Sequence, residues 1–294
     1  MRLTDTRRNR IAPPEQLEQR ILLTVKVSFN EQSGLLKITG DNAANRIDLD
    51  GVNPGHFELF IDNTFFDNFT SVDAVKINLK GGDDLLYFNA FFLVGSLTVN
   101  MGSGADELDM DNSINFGSGS DGSTYVENAV KINMGGDVGD LVDFDGNIGF
   151  NGDVSIKGAA DVDFDGGGTL HTLEPALDIF FNRTLKIDFA KSGDVNGDNL
   201  TLDFDNVYNT PGVTINGSNL ADNLQITRSY IFLSTKLSLS GGDDVVDLDN
   251  GAANKNEFFG GLNANGGSGN DTFLKGLDNL FGTPEVITAF ETVT

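Results

Sequence analysis

A short unit made of a strand, a glycine-rich turn and a second strand recurs along the chain, and this repeat constrains the fold more than any other feature. The first strand alternates apolar and polar residues, as in VKINLKGG at 75–82 and LTVNMGSG at 97–104. Nine copies can be aligned on the second polar residue of this strand, with Ser240 placed between Asn216 and Asn265. Their spacing varies from 22 to 39 residues and averages about 28, so turns of different length join similar strands.

The second strand of each unit is acidic, and a short aromatic piece often follows it. Examples of the acidic strand are ELDMD at 107–111, LVDFD at 141–145 and DVDFD at 161–165. Short strands that repeat in this way are typical of a β-solenoid, whose coils stack on one another. The sequence therefore predicts an all-β protein, a three-faced parallel β-helix of about nine to ten coils. Parallel crossovers favour a right-handed path.

The repeat also predicts the domain organisation. Residues 1–24 form a basic leader with five arginines and three acidic residues, and residues 25–294 form a single solenoid domain. The first gap, of 39 residues, is expected to contain an additional coil within HFELFIDNTFF at 56–66. The strands VKVSF at 25–29 and VITAF at 286–290 leave open sheet edges that favour head-to-tail pairing of copies into a homo-oligomer or fibre.

The period of two in the acidic strands predicts two outward columns of carboxylates about 4.8 Å apart from coil to coil. Leu108 and Met110 point inward, and their acidic neighbours point outward. Tyr87 and Gln225 interrupt the first column, and Asn89 and Thr227 interrupt the second. The first column contains Asp48, Asp109, Asp143, Asp163, Asp203 and Asp247, and the second contains Asp50, Asp111, Asp145, Asp165, Asp205 and Asp249. Charges at this spacing repel by about 0.9 kcal/mol in water, so the columns are either fully hydrated or bridged by cations.

The turns before the acidic strands point to one cation. GGSGNDTFL at 266–274 resembles, position for position, the calcium-binding nonapeptide G-G-x-G-x-D-x-U-x of the RTX β-roll proteins. GSGADEL at 102–108 matches the motif from the second glycine of the motif onward. GGDDLL at 81–86 and GGDDVV at 241–246 are shorter variants of it, and GGDVGDLV at 135–142 is a longer one. The resemblance implies Ca²⁺ as cofactor, bound by glycine carbonyls and aspartates. The candidate ligands at the turns are Asp84, Gly102, Gly104, Asp106, Asp140, Asp244, Gly267, Gly269 and Asp271, together with the aspartates of the columns.

This chain departs from the RTX pattern because it has one such turn per coil instead of a tandem array. The alternative is therefore structural: glycine supplies a positive φ and aspartate caps a tight turn. GDVNGDN at 193–199 is similar to an EF-hand or dockerin loop, but Asn199 stands where glycine is required and the stretch falls in register with the repeat. We interpret it as part of the solenoid.

Charge and composition exclude several functions. The chain has a net charge of −25, and residues 25–294 alone carry −27, so binding to nucleic acid or to an anionic membrane is not expected. It has no cysteine, hence no disulfide or thiolate site. No apolar run approaches the roughly 18 residues that span a membrane.

Enzymatic activity is not predicted, although a polysaccharide hydrolase or a carbohydrate-binding module on a β-helix is the alternative. Lyases need a base, and the two histidines, His56 and His171, lie in insertions far from any recognisable partner. Hydrolases need one tuned acid pair, whereas regular columns of acids are typical of a surface lattice. A cation- or mineral-binding acidic surface is a third hypothesis.

The leader suggests a location. LEQRILL at 17–23 resembles the LEPR-XLL motif of planctomycete-like bacterial surface proteins, with Gln19 in place of proline. The resemblance implies export to the cell surface or the extracellular space. The sequence thus predicts a non-catalytic, calcium-stabilised structural protein of a surface layer, matrix or fibre, with adhesion to a surface polysaccharide as a related role.

Overall fold

The computed structural model describes residues 25–111, 124–165, 179–189, 207–209, 212–227, 229–248 and 255–294. All regular structure in these residues is β-strand, and most strands have two to six residues. Along a strand, buried residues alternate with partly exposed ones, as in HFELFI at 56–61. One face of each strand therefore packs inward. The strands, numbered in chain order, form four sheets.

The sheets are listed in the order in which their strands are hydrogen-bonded. The 11-stranded sheet contains β1 (Lys26–Asn30), β2 (Leu35–Thr39), β6 (Ala74–Asn78), β9 (Leu97–Asn100), β12 (Val130–Asn133), β15 (Val154–Lys157), β18 (Leu185–Asp188), β20 (Val213–Asn216), β23 (Thr235–Ser238), β26 (Leu262–Asn265) and β29 (Val286–Thr288). The seven-stranded sheet contains β16 (Asp161–Asp165), β13 (Leu141–Asp145), β10 (Glu107–Asp111), β7 (Leu85–Asn89), β3 (Arg46–Asn53), β4 (His56–Ile61) and β5 (Thr64–Phe69). The four-stranded sheet contains β21 (Asn223–Gln225), β24 (Val245–Asp247), β27 (Thr272–Leu274) and β30 (Thr292–Val293). The eight-stranded sheet contains β28 (Leu280–Phe281), β25 (Glu257–Phe258), β22 (Tyr230–Ile231), β19 (Val207–Asn209), β17 (Ile179–Phe181), β14 (Ile148–Phe150), β11 (Thr124–Val126) and β8 (Phe92–Leu93).

The chain visits the sheets in rotation. From β6 to β17 each strand of the 11-stranded sheet is followed by one of the seven-stranded sheet and one of the eight-stranded sheet. From β20 onward the four-stranded sheet takes the place of the seven-stranded one. Neighbouring strands from successive units are parallel, as in the pairing of β10 with β7 and of β12 with β9. This path is compatible with a β-solenoid and confirms the all-β, parallel character expected from the repeat.

The start of the described chain departs from this pattern. β1 pairs antiparallel with β2, and β3, β4 and β5 form an antiparallel meander. The additional coil expected within 56–66 is therefore wrong. The segment turns back twice on the edge of the seven-stranded sheet. At the second reversal, between β4 and β5, Asp62 and Asn63 adopt positive φ values of 50° and 59°, which suit a tight two-residue hairpin turn.

The register of the 11-stranded sheet confirms eight of the nine aligned copies and corrects the other. Asn78, Asn100 and Asn133 lie side by side, and their amide side chains donate hydrogen bonds along the stack. In β23, however, Ser238 pairs with Asn265, so Ser240 is two residues out of register. The sequence TKLSLS at 235–240 alternates between buried and more exposed residues over six positions, and alternation alone does not distinguish a shift of two.

The core is a single cluster of aliphatic and aromatic residues. Phe144 and Phe164 are fully buried, and their rings stack with centroids 4.8 Å apart. Phe150 and Phe181 from the eight-stranded sheet stack at 5.2 Å and contact the same pair. The recurring inward phenylalanines thus form ladders across successive units, as the sequence predicts.

Candidate cation-binding turns

Among the described residues, six buried aspartates, which we call the buried column, lie at the turns before strands of the seven-stranded and four-stranded sheets. Each of these residues comes directly before the first residue of its strand, as Asp84 does before β7, and at most 2% of its surface is exposed. The members are Asp84, Asp106, Asp140, Asp222, Asp244 and Asp271. Aspartate is almost never this deeply buried without partners, so the column requires a chemical explanation.

In five of the six members, one carboxylate oxygen accepts a backbone N–H from the preceding unit; among the described residues the exception is Asp222, whose Oδ1 accepts from Oγ of Ser218 in its own turn. Oδ1 of Asp84 accepts the N–H of Asn45 at 2.7 Å, and Oδ1 of Asp106 accepts the N–H of Asp84 at 2.9 Å. Oδ1 of Asp140 accepts in turn from Asp106 at 3.1 Å. The same bond joins Asp222 to Asp244 at 2.8 Å and Asp244 to Asp271 at 2.9 Å. These bonds satisfy backbone donors that the turns would otherwise bury unpaired.

The second carboxylate oxygen divides the column into two classes. Oδ2 of Asp140 accepts the N–H groups of Gly136 and Asp137, and Oδ2 of Asp222 accepts the N–H of Ser218. In the other class, Oδ2 is buried and has no hydrogen-bond partner among the described residues. This class consists of Asp84, Asp106, Asp244 and Asp271.

The four aspartates with an unpartnered oxygen belong to two similar pairs of turns, 80–84 with 102–106 and 240–244 with 267–271. In the first pair Gly81 bridges Ser103, and in the second Gly241 bridges Ser268. The N–H of Ala105 donates to Asp83 at 3.0 Å, and that of Asn270 donates to Asp243 at 2.9 Å. We call these the paired turns. They are the shortened GGDD turns, each stacked on a turn of the GSGxD type.

Glycine allows the paired turns to stack closely. Gly102 has φ of +118°, and a β-carbon added to it would lie 2.0 Å from the carbonyl oxygen of Lys80. At Gly269 a β-carbon would come within 1.6 Å of the carbonyl oxygen of Gly242. No side chain fits at such distances, so the glycines predicted as ligands have at least a structural role.

Replacing Lys80 by glycine is expected to stabilise the protein by up to about 1 kcal/mol. Lys80 and Ser240, with φ of +79° and +75°, occupy the positions of Gly102 and Gly267, and this backbone conformation costs an L-residue roughly 1–2 kcal/mol. Urea unfolding of Lys80→Gly measures the gain. Lys80→Ala keeps the unfavourable conformation, so an equal gain in the alanine variant would contradict the prediction.

Burial changes the proton affinity of the column. Burial, with a smaller contribution from nearby acidic residues, raises the pKa of Asp84 to about 7 and that of Asp244 to about 8. The pKa of Asp106 is also raised by burial. Burial raises the pKa of Asp140 to about 6, against the effect of its hydrogen bonds from Asp106, Asp137 and Gly136. A buried carboxylate without a counter-charge takes up a proton or attracts a cation.

The outward columns lie in the predicted register on the seven-stranded sheet. Asp109 pairs with Asp143 and with Tyr87, and Asp111 pairs with Asn89. The first column reads Asp48, Tyr87, Asp109, Asp143 and Asp163, and the second reads Asp50, Asn89, Asp111, Asp145 and Asp165. The columns are not fully hydrated, since burial raises the pKa of Asp109 to about 6 and that of Asp143 to about 7.

The remaining predicted ligands do not join these columns in the described structure. Asp247 lies in the separate four-stranded sheet, between Gln225 and Leu274. Asp203, Asp205 and Asp249 lie outside the described residues, as does the loop at 193–199, and Asp165 is described only in its backbone. The sequence analysis missed Asp222, which lies directly before β21 as Asp84 lies before β7, and this shared position is the signal that would have identified it.

The paired turns supply some of the ligands that Ca²⁺ needs. Among the residues that the structure describes, no three aspartate, glutamate or histidine side chains converge on one point. Ca²⁺ takes six to eight oxygens, and carbonyl groups and water serve as well as carboxylates. A site at a paired turn would therefore combine the unpartnered oxygens of two neighbouring aspartates with backbone carbonyls and water.

The chain matches no protein-family model, and no curated protein or solved structure is significantly similar to it. In the described part of the chain no helix is long and apolar enough to cross a membrane. Functional inference therefore rests on the geometry of the fold and its turns.

Proposed function

We propose that this chain is a non-catalytic structural protein, a right-handed, three-faced β-helix of nine to ten coils stabilised by Ca²⁺. The observation that carries the proposal is that all four aspartates of the two paired turns have a buried second oxygen without a hydrogen-bond partner among the described residues. Leaving such groups unsatisfied costs about 1–3 kcal/mol each, and more when they are charged. A bound cation would turn this cost into a stabilising interaction.

The difference between the two classes of buried aspartate supports calcium binding at the paired turns and not at every turn. Asp140 and Asp222 are as deeply buried, but their second oxygen is satisfied by donors of their own turn. Among the turns that the structure describes, those of Asp140 and Asp222 satisfy the second oxygen internally, whereas the two paired turns leave it open to a cation. We propose one Ca²⁺ at Asp84 and Asp106 and a second at Asp244 and Asp271.

A role outside the cell agrees with this requirement, because Ca²⁺ sites made of few charged ligands bind in the range of about 10⁻⁴–10⁻³ M that extracellular modules use. The LEPR-XLL-like leader supports export to a bacterial surface. A regular stack of coils suits a surface layer, matrix or fibre. β1 and β29 lie at opposite edges of the 11-stranded sheet, where head-to-tail pairing between copies would occur.

Millimolar Ca²⁺ is expected to raise the melting temperature, whereas Mg²⁺ at the same concentration has a much smaller effect. A ligand that binds only the folded state at 100 times its dissociation constant stabilises by about 2.7 kcal/mol per site. Thermal melting followed by circular dichroism, with and without each cation after chelation, measures the shift. An unchanged melting temperature in Ca²⁺ would refute calcium stabilisation.

Variants locate the sites. Asp106→Asn and Asp271→Asn keep the Oδ1 acceptor but remove one charge from each paired turn, so each is expected to lose about half of the calcium-induced shift and the double variant nearly all of it. Asp140→Asn is the matched control. It is expected to melt at a lower temperature because it disturbs two hydrogen bonds, yet to keep the full shift. Loss of the shift in Asp140→Asn alone would place calcium elsewhere.

A further inference from the structure

A separate pocket of about 250 Å³ opens on the outer face of the seven-stranded sheet, beside the meander of β3, β4 and β5. It lies where the outward columns of aspartates give way to Tyr87 and Asn89. Asp48 and Asp50 form one side of the pocket, and Phe60 from β4 forms another. Its walls therefore combine acidic, amide and aromatic groups.

The pocket is held in shape by the hairpin turn of the meander. The N–H of Asp62 donates to the carbonyl of Arg46 at 2.9 Å, and Oδ1 of Asp62 accepts the N–H of Arg46 at 3.1 Å. This double contact fixes the adjacent Asn63 at the mouth of the pocket. Phe60 packs edge-to-face against Phe65 with ring centroids 5.6 Å apart. A pre-organised wall loses little entropy when a ligand binds.

The two aspartates of the pocket, Asp48 and Asp50, differ in their charged partners. The guanidinium of Arg46 pairs with Asp48, with its Nε donating to Oδ2 at 3.0 Å. Asp50 lies beside this ion pair and accepts a hydrogen bond from Asn89, and among the described residues no ion pair to Asp50 is seen. Burial, followed by the negative charges of Asp48 and Glu58, raises the pKa of Asp50. A positive charge brought to Asp50 would be stabilised by Asp50 and Glu58, since Asp48 is already paired with Arg46.

We propose that this pocket binds a protonated amino sugar, a single sugar ring that carries a primary ammonium group. Asp50 accepts hydrogen bonds from the ammonium, and the amides of Asn63 and Asn89 both donate to and accept from hydroxyl groups. The rings of Phe60 and Tyr87 provide an apolar surface for the sugar ring and attract the cation. The pocket is smaller than the roughly 300–1,000 Å³ of drug-sized sites, in keeping with one ring.

The charge of the protein favours this ligand over a neutral sugar. The net charge of −25 and the acidic columns below the pocket concentrate cations at this face. Arg46 does not repel the amine because its charge is matched by Asp48. The pocket is distinct from the paired turns, so the proposal holds whether or not calcium binds there.

Titration with glucosamine, glucose and N-acetylglucosamine, followed by NMR chemical shifts or calorimetry near neutral pH, tests the proposal. Saturating Ca²⁺ and physiological salt are present throughout to suppress non-specific binding. We expect glucosamine to bind in the millimolar range, at least about tenfold more tightly than either neutral sugar. Equal binding of the three sugars, or no binding of glucosamine, would overturn the proposal.

Two variants separate the pocket from the general acidic field. Asp50→Asn is expected to remove the preference for glucosamine, and Phe60→Ala to weaken binding of all three sugars. Asp67→Asn makes the same charge change at an exposed residue of β5, outside the pocket lining, and is expected to bind as wild type does. An equal loss of binding in Asp67→Asn and Asp50→Asn would show that only the overall charge matters. Melting curves verify that each variant is folded.

Discussion

Replacing Phe144 by alanine is expected to destabilise the protein by about 3–5 kcal/mol. Phe144 is fully buried, stacks on Phe164 at 4.8 Å and touches Phe150 at 5.5 Å between centroids. Truncation would leave a cavity lined by rings from two sheets. Because each coil of a solenoid contacts only its neighbours, the surrounding strands have few other contacts with which to close this cavity. Equilibrium unfolding in urea measures the loss.

Phe232→Ala is the matched control for that experiment. Phe232 also stacks on a phenylalanine of the next unit, with its centroid 5.2 Å from that of Phe259, but 43% of its surface is exposed. Losing this ring should cost no more than about 1 kcal/mol. If the two variants were equally destabilised, the phenylalanine ladders would stabilise the fold mainly through stacking along the axis and not through burial.

The positions predicted most accurately from the sequence are those governed by the period of two. Asp109, Asp143 and Tyr87 fall in one column because their strands have the same alternation and begin at the same distance after the turn. One-residue errors are excluded, since they would turn the apolar face outward. Two-residue errors are not, and the misplacement of Ser240 is such an error.

The meander and the classes of buried aspartates could not be predicted in the same way. HFELFI has the alternation of any other strand, and only its neighbours decide whether the chain continues or turns back. The turns before Asp106 and Asp140 both read as glycine–aspartate motifs. Whether the second oxygen finds donors depends on the added residues of 135–140, which bring the N–H groups of Gly136 and Asp137 to it. That distinction is visible only in three dimensions.

Without calcium, stability is expected to fall as the pH rises from about 4 to about 8 and to level off above. Burial raises the pKa of Asp84 to about 7, of Asp143 to about 7 and of Asp244 to about 8, from ordinary values near 3.8. Between the ordinary and the raised pKa the folded state binds more protons than the unfolded state. Deprotonation therefore favours unfolding across this range. Melting temperatures measured in chelator at several pH values test the slope.

In saturating Ca²⁺, stability at high pH is expected to rise with pH, which is the opposite of the trend in chelator. Ca²⁺ binds only the deprotonated carboxylates, and there it replaces the proton as the partner of the unpaired oxygens at the paired turns. Asp244→Asn is expected to be more stable than wild type at high pH in chelator and less stable in Ca²⁺, since the amide needs neither proton nor cation. Asp67→Asn, at an exposed position, is expected to leave both curves unchanged. A wild-type protein whose stability rises with pH in chelator would contradict the assignment of the buried column as the dominant titrating group. An Asp244→Asn variant that gains no stability at high pH would show instead that the carboxylate is already balanced by groups within the fold.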